Sequence, residues 1–171
     1  MSLVYLDSGI NKDTSLDVIK FIHNQFLTHH KVHTVSLLCE GLDKNVPLIN
    51  FINGTTNWNL CIQGWEDIDY LPLSKEKIGD DLDRCILKVE ELFNVTPEKW
   101  YVNHSIDRDI MNRIIKVAYY HGVDIDSRCE YIGDAIKSLE GKKNLVTNTV
   151  FFNSQNRSDL ELLPSLFYLT R

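Results

Sequence analysis

The chain is organised around the stretch Leu60-Cys61-Ile62-Gln63-Gly64-Trp65-Glu66-Asp67-Ile68-Asp69-Tyr70, which leads through Leu71-Pro72-Leu73-Ser74 into a long helical pattern. Residues 60–62 are apolar and predict the buried part of a strand, and the carboxylates after them predict a polar loop. Ser74 is a suitable N-cap for the apolar side chains that recur at helical spacing from Ile78 to Leu92. The stretch therefore predicts a strand, a loop rich in carboxylates and an amphipathic helix.

Short apolar runs and helical patterns alternate along the rest of the chain. The runs predict strands at residues 3–6, 32–38, 57–62, 100–102 and 145–152, and a further short strand at 123–125, with helical patterns between them. This order is typical of parallel strands joined by helical crossovers. With 171 residues, we expect residues 1–171 to form a single α/β domain.

Composition excludes several classes of protein. The net charge is −6, with 18 basic and 24 acidic residues, and no basic tract is present, so a nucleic-acid partner is not expected. Apolar runs are too short to span a bilayer, and residues 1–7 do not resemble a secretion signal, so we expect a cytoplasmic protein that does not enter a membrane. The four cysteines lack the close spacing of zinc or redox motifs, and we expect reduced thiols.

The predicted strand ends supply the candidate functional groups, because ligands of parallel α/β folds bind at the carboxyl ends of the strands. These ends are Asp7-Ser8-Gly9, Glu40-Gly41, residues 63–69, Asn103-His104 and Asn153-Ser154. His29 and His33 have the spacing of two ligands on one helical face. The helix is predicted to end near His30, however, so we do not expect the pair to share a face.

Four of these strand ends are similar to motifs of one family. Leu6-Asp7-Ser8-Gly9 is similar to Phe-Asp-Asp-Gly, and Gln63-Gly64-Trp65-Glu66-Asp67 stands at the place of a His-x-x-x-His metal motif. Trp100-Tyr101-Val102-Asn103-His104 stands at the place of an Arg-x-Pro-Tyr-like strand, and Phe151-Phe152-Asn153 at that of a late strand carrying a catalytic His. Over roughly residues 3–154 the pattern resembles the NodB-type polysaccharide deacetylases. The resemblance implies a short or incomplete distorted (β/α) barrel.

The resemblance also implies roles for individual residues. In that family one Asp and two His hold a divalent metal, a second Asp acts as base and a late His acts as acid. Carried over by position, Asp7 is the candidate base, Asn153 stands at the place of the catalytic His, and Ser8, Gln63 and Asp67 stand at the metal positions. Ser and Gln are weak neutral ligands, so we expect no bound transition metal and no cofactor. A weak Mg²⁺ or Ca²⁺ site at Asp7 and Asp67 is the alternative.

Further candidates flank these positions. Trp65, Tyr101 and Asn103 are candidate substrate-binding residues, and His104 is a weak candidate proton carrier. Each residue also has a structural interpretation: Asp7 can cap a turn, Trp65 can pack half-buried and His104 can lie on the surface.

Three functions follow as hypotheses. The favoured one is a degenerate polysaccharide-deacetylase-like domain without metal-dependent deacetylase activity, whose cleft binds a carbohydrate or a protein. The second is an active deacetylase- or amidase-like hydrolase that uses Asp7 with Asp67 or His104. The third is a structural or assembly protein that forms homo-oligomers through its Leu- and Phe-rich tail, residues 160–169.

Overall fold

The structure is a computed structural model that describes residues 3–67, 73–101, 108–126 and 129–171. The strands are β1 (Val4–Ile10), β2 (His33–Leu38), β3 (Trp58–Gly64), β4 (Lys99–Tyr101), β5 (Asp124–Asp126), β6 (Glu130–Tyr131) and β7 (Thr149–Phe152). The helices are α1 (Leu16–Thr28), α2 (Val46–Asn53), α3 (Lys75–Phe93), α4 (Arg108–Tyr120), α5 (Ile132–Glu140) and α6 (Arg157–Leu169), with a 3₁₀ turn at Leu42–Lys44. Among the described helices none is both long and apolar enough to cross a bilayer.

The strands form one sheet in the order β5-β4-β3-β2-β1-β7-β6, and neighbouring strands pair in parallel. The sheet curls into a half-barrel with helical crossovers. This confirms the predicted α/β fold and its incomplete distorted barrel. Sequence patterns missed β6, because a strand of two residues carries no alternation that a pattern can detect.

The two faces of the sheet have different surroundings. Tyr5 of β1 packs on Phe26 of α1 and Phe167 of α6, so its face of the sheet carries the helices. Leu6, the next residue, clusters instead with Cys61 and Tyr101 on the concave face. Because side chains alternate along a strand, this assignment fixes which residues of the other strands point into the half-barrel.

Two bulges reshape the strand ends around β2. The turn predicted at Asp7-Ser8-Gly9 is wrong, since β1 continues to Ile10 and its register with β2 shifts by one residue between Asp7 and Ile10. Gly9 has φ +75°, a conformation that costs glycine little. Strand β3 likewise runs to Gly64, beyond its predicted end at residue 62, and its register with β2 shifts at Gln63.

Two predictions about the helices have opposite outcomes. Ser74 caps α3 as predicted, accepting a hydrogen bond of 3.2 Å from the Lys77 N–H. The interruption predicted at Pro164 is wrong, because α6 continues through it. Proline in a helix costs about 3 kcal/mol. Burial of Leu163, Leu166 and Phe167 offsets that cost here.

Candidate functional site

The carboxyl ends of β1, β2, β3 and β7 meet at one rim of the half-barrel, and Gln63 joins three of them. Its side-chain oxygen Oε1 accepts hydrogen bonds from the Gly9 N–H, at 2.7 Å, and from the Ser36 hydroxyl, at 3.0 Å. Ser36 belongs to β2, which lies between β1 and β3. The bulges make this possible, because one exposes the N–H of Gly9 and the other carries Gln63. Gln63 therefore ties β1, β2 and β3 together at the rim.

Two further positions predicted from the resemblance lie beside Gly9. The Ser8 hydroxyl donates to the Phe152 carbonyl of β7 over 3.2 Å. The Nδ2 of Asn153 lies 3.8 Å from the point where a Cβ on Gly9 would be. Asn153 is held through its backbone N–H, which donates to Oδ2 of Asp159 at 2.9 Å, while its Oδ1 accepts from the Gln155 N–H at 2.8 Å. The structure thus brings Ser8, Gln63 and Asn153 together around one glycine.

Asp7 lies on the other face of the sheet. It is two residues beyond Tyr5 and is fully buried on the side that carries the helices. Its Oδ1 accepts from the Ser154 N–H at 2.9 Å, and its Oδ2 lies 3.0 Å from Nε2 of His33. In this geometry both carboxylate oxygens are engaged inside the protein and neither faces the rim.

Two histidines that sequence reasoning did not select extend from Asp7. Nδ1 of His33 lies 3.3 Å from Nδ1 of His23, and Nε2 of His23 lies 2.8 Å from the Thr56 carbonyl oxygen. Both rings are fully buried in an aromatic stack, with His23 against Trp58 and His33 against Phe26. Burial lowers the pKa of His23 to about 4, and the nearby His33 contributes a smaller lowering. The hydrogen bond to Thr56 acts in the opposite direction and raises this pKa.

A sequence signal for this pair existed. His23 lies next to Ile22 on the buried stripe of α1, and His33 alternates with Val35 and Leu37 on the helix-covered face of β2. A polar side chain at such positions requires a buried partner. The partner of His33, Asp7, comes from the neighbouring strand and becomes visible only with the register. His29, as expected, does not share a face with His33, because it is exposed and contacts Phe167.

The remaining candidates are dispersed. Trp65 is half-buried against the core, and the Arg84 guanidinium lies 4.3 Å from its ring centre. Arg84 in turn pairs with the buried carboxylate of Asp81. Tyr101 is buried in the concave cluster, while Asp67 is exposed. Asn103 and His104 lie outside the described residues.

The residues at the family's metal positions do not fit a metal ion. The Ser8 hydroxyl and the Gln63 oxygen are neutral and already hydrogen-bonded within the protein, and Asp67 is exposed. The described residues contain no group of three or more His, Cys, Asp or Glu side chains placed to hold an ion. A cation shared by Asp7 and Asp67 is not favoured either, since one carboxylate is buried and paired while the other is in solvent.

No protein-family model and no curated protein matches the sequence. Solved structures do match the fold. A CE4 family pseudoenzyme from Bacillus anthracis has a TM-score of 0.76 at 16% identity over 99% of this chain and 61% of that chain. A family 4 carbohydrate esterase from Streptomyces lividans, in complex with acetate, has a TM-score of 0.77 at 7% identity over 98% and 86%. A polysaccharide deacetylase from Bacillus cereus has a TM-score of 0.71 at 9% identity over 99% and 87%.

The chain spans 61–63% of the length of the pseudoenzyme structures that it matches. The resemblance noted at the strand ends and the structural matches indicate the same group of proteins. The chain has the fold of the family 4 carbohydrate esterases, the polysaccharide deacetylases whose motifs its strand ends resemble.

Proposed function

We propose that this chain is a catalytically silent relative of the polysaccharide deacetylases that binds an acetylated carbohydrate at the rim of the half-barrel. One observation carries the proposal. The Gln63 side-chain oxygen accepts hydrogen bonds from the Gly9 N–H and the Ser36 hydroxyl, at a position where a metal-dependent site would need a free ligand. A hydrogen-bonded amide keeps the strand ends together without supplying Lewis acidity.

The chemistry of the rim supports a carbohydrate over a charged ligand. The rim is built from neutral hydroxyl and amide groups, and the amide nitrogens of Gln63 and Asn153 are donors of the kind that bind a sugar hydroxyl. Structural neighbours of the same fold are polysaccharide and peptidoglycan deacetylases, which suggests the class of ligand to try first. A protein partner is the second outcome that a binding experiment distinguishes.

Binding is tested with oligomers of N-acetylglucosamine followed by ¹H–¹⁵N NMR. We expect saturable shifts at the rim residues Ser8, Gly9 and Gln63, and a weaker interaction in Asn153→Leu. Asn24→Leu is the matched control, since Asn24 is exposed on α1. Shifts confined to other surfaces, or no shift at millimolar sugar, would contradict carbohydrate binding at the rim.

Catalytic silence is tested by metal content and acetate release. We expect the purified protein to hold no stoichiometric Zn²⁺, Co²⁺ or Ni²⁺ and to release no acetate from the same oligomers. Bound transition metal at one equivalent would overturn the proposal. Acetate release that disappears in Asp7→Asn would favour the hydrolase alternative instead.

A gain-of-function variant makes the negative result informative. The combination Ser8→Asp, Gln63→His, Asp67→His and Asn153→His restores the residue types of the family motifs. We expect this variant to bind Zn²⁺ where the parent does not. A mutant of the Bacillus anthracis pseudoenzyme, described as having restored enzymatic activity, matches this chain with a TM-score of 0.78 at 16% identity, which encourages the design.

A further inference from the structure

Asp7, His33, His23 and Thr56 form a continuous series of close polar contacts, buried at the first three residues and ending at the carbonyl of the exposed Thr56. The contacts measure 3.0 Å from Asp7 Oδ2 to His33 Nε2, 3.3 Å between the two Nδ1 atoms, and 2.8 Å from His23 Nε2 to the Thr56 oxygen. Asp7, His23 and His33 are each fully buried, so water does not replace a missing partner at their side chains. Each contact therefore needs one hydrogen between its two atoms.

Counting those hydrogens gives a charge state. An ionised carboxylate and a carbonyl oxygen are both acceptors, and they close the two ends of the series. Three contacts need three hydrogens, but two neutral imidazoles carry only one N–H each. With an ionised Asp7 and two neutral histidines, one contact would set two lone pairs against each other. Leaving such a buried acceptor unsatisfied is costly, and so is burying an unpaired carboxylate.

We infer that the folded protein binds one additional proton in this network at neutral pH, so that Asp7, His33 and His23 together carry no net charge. An imidazolium at His33 that donates to Asp7 through Nε2 and to His23 through Nδ1 satisfies every contact, and a proton held on Asp7 instead gives the same total. His23 then stays neutral and donates to Thr56 through Nε2. The lowered pKa of His23 agrees with this neutral form.

Charged and titratable groups on the packed elements that the structure describes are engaged in other contacts. Tyr5 of β1 bonds Thr170 through its hydroxyl, and Lys20 of α1 lies with its ammonium 5.7 Å from the ring centre of Phe51. Asp159 of α6 accepts from Tyr131 and from the backbone of the β7 end. Among the described residues, the rings of Phe26, Phe51, Trp58 and Phe152 also lie against the two imidazoles.

The additional proton links folding to pH. In the unfolded chain above about pH 6.5, two neutral histidines and an ionised Asp7 hold two protons, whereas the folded network holds three. Folding then takes up a proton. Each unit of increasing pH above about 7 raises the unfolding constant about tenfold through this network alone.

The variant Asp7→Asn isolates this contribution. An asparagine can accept from the Ser154 N–H through Oδ1 and donate to His33 Nε2 through Nδ2, so its amide supplies the third hydrogen. Both histidines are then neutral in the variant. The unfolding constant of wild type should rise about tenfold per pH unit between about pH 7 and 9, and that of Asp7→Asn should not. Asp67→Asn, at an exposed aspartate, should keep the wild-type dependence.

Two measurements decide the inference. Urea denaturation of wild type, Asp7→Asn and Asp67→Asn from pH 7 to 9 gives the slope of the free energy of unfolding against pH for each protein. Equal slopes for wild type and Asp7→Asn would overturn the inference. If Asp7→Asn does not fold, long-range ¹H–¹⁵N NMR of the wild-type histidines and ¹³C NMR of the Asp7 carboxyl count the protons directly at pH 7. Three protons across Asp7, His33 and His23 support the network, and two exclude it.

Discussion

Gln63 of β3 accepts a 2.7 Å hydrogen bond from the backbone N–H of Gly9 in β1, although β2 separates the two strands. Ordinary sheet pairing cannot make this link, because backbone ladders join only adjacent strands. The side chain reaches over Ser36, which donates to the same oxygen. The rim therefore depends on one amide for its shape.

Removing that acceptor should weaken the fold. Gln63→Met keeps the approximate length of the side chain but leaves the Gly9 N–H and the Ser36 hydroxyl without their partner. We expect a loss of about 1–3 kcal/mol in the free energy of unfolding, measured by urea denaturation. Gln63→Glu keeps an oxygen at this position and is the control. Equal stability of Gln63→Met and wild type would show that the link carries no energy.

Gly9 should resist a side chain because of its backbone and not for lack of space. A Cβ at Gly9 would lie 3.8 Å from its nearest neighbour, but φ is +75°. Gly9→Ala should therefore cost about 1–2 kcal/mol. In Gly79→Ala the glycine lies inside α3 with room for a methyl group, and stability should rise by about 0.5–1 kcal/mol. Thermal unfolding should show a lower midpoint for Gly9→Ala and a higher midpoint for Gly79→Ala than for wild type.

His23 should make the protein sensitive to acid. Its pKa is lowered to about 4 in the folded protein, against an ordinary value near 6.5. As pH falls from about 6.5 to 4, His23 binds a proton in the unfolded chain but not in the folded protein. The free energy of unfolding therefore decreases across that window. The loss attributable to His23 is on the order of 3 kcal/mol. Above pH 6.5 this residue adds no pH dependence.

Comparison of denaturation midpoints at pH 4.5 and 6.5 checks the acid effect. His23→Gln should lose stability overall but show a smaller difference between the two pH values than wild type. His30→Asn is the control, because His30 is exposed. An unchanged difference in His23→Gln would contradict the assignment.

Asp159 anchors the start of the loop after β7, and Tyr131 supports it. The Tyr131 hydroxyl donates to Oδ1 of Asp159, whose Oδ2 holds the Asn153 N–H, and this bond raises the pKa of Tyr131 above its usual range. Tyr131→Phe should cost about 1–2 kcal/mol, because the bond is made to a charged acceptor at a half-buried site. Tyr168→Phe, at an exposed tyrosine of α6, should change urea stability little.

Much of the fold could be predicted from periodicity. The stripe of α3 and its Ser74 cap identify the longest helix, and the alternation of apolar runs with helices identifies a parallel sheet. The end of β1 could not be predicted, because Asp7-Ser8-Gly9 has the composition of a turn and only pairing with β2 shows that it is a bulged strand.

Only the placement of some candidate residues could be predicted from the sequence. Ser8, Gln63 and Asn153 do meet around Gly9, which the parallel topology makes reasonable. Asp7 keeps the alternation from Tyr5, but its spacing alone could not show which face of β1 carries the helices. The alternation of β2 marks His33 as a buried polar residue, but its partner Asp7 could not be identified locally, because it is 26 residues away in the chain.

The position of β1 has a consequence for synthesis on the ribosome. This strand is made before β7, yet it lies between β2 and β7, and β7 is formed by Thr149–Phe152. Asp7 likewise receives its Ser154 N–H from 147 residues later. Until that segment leaves the exit tunnel, one edge of β1 is unpaired and open to other nascent chains. Premature termination before residue 149 should therefore yield a product that aggregates.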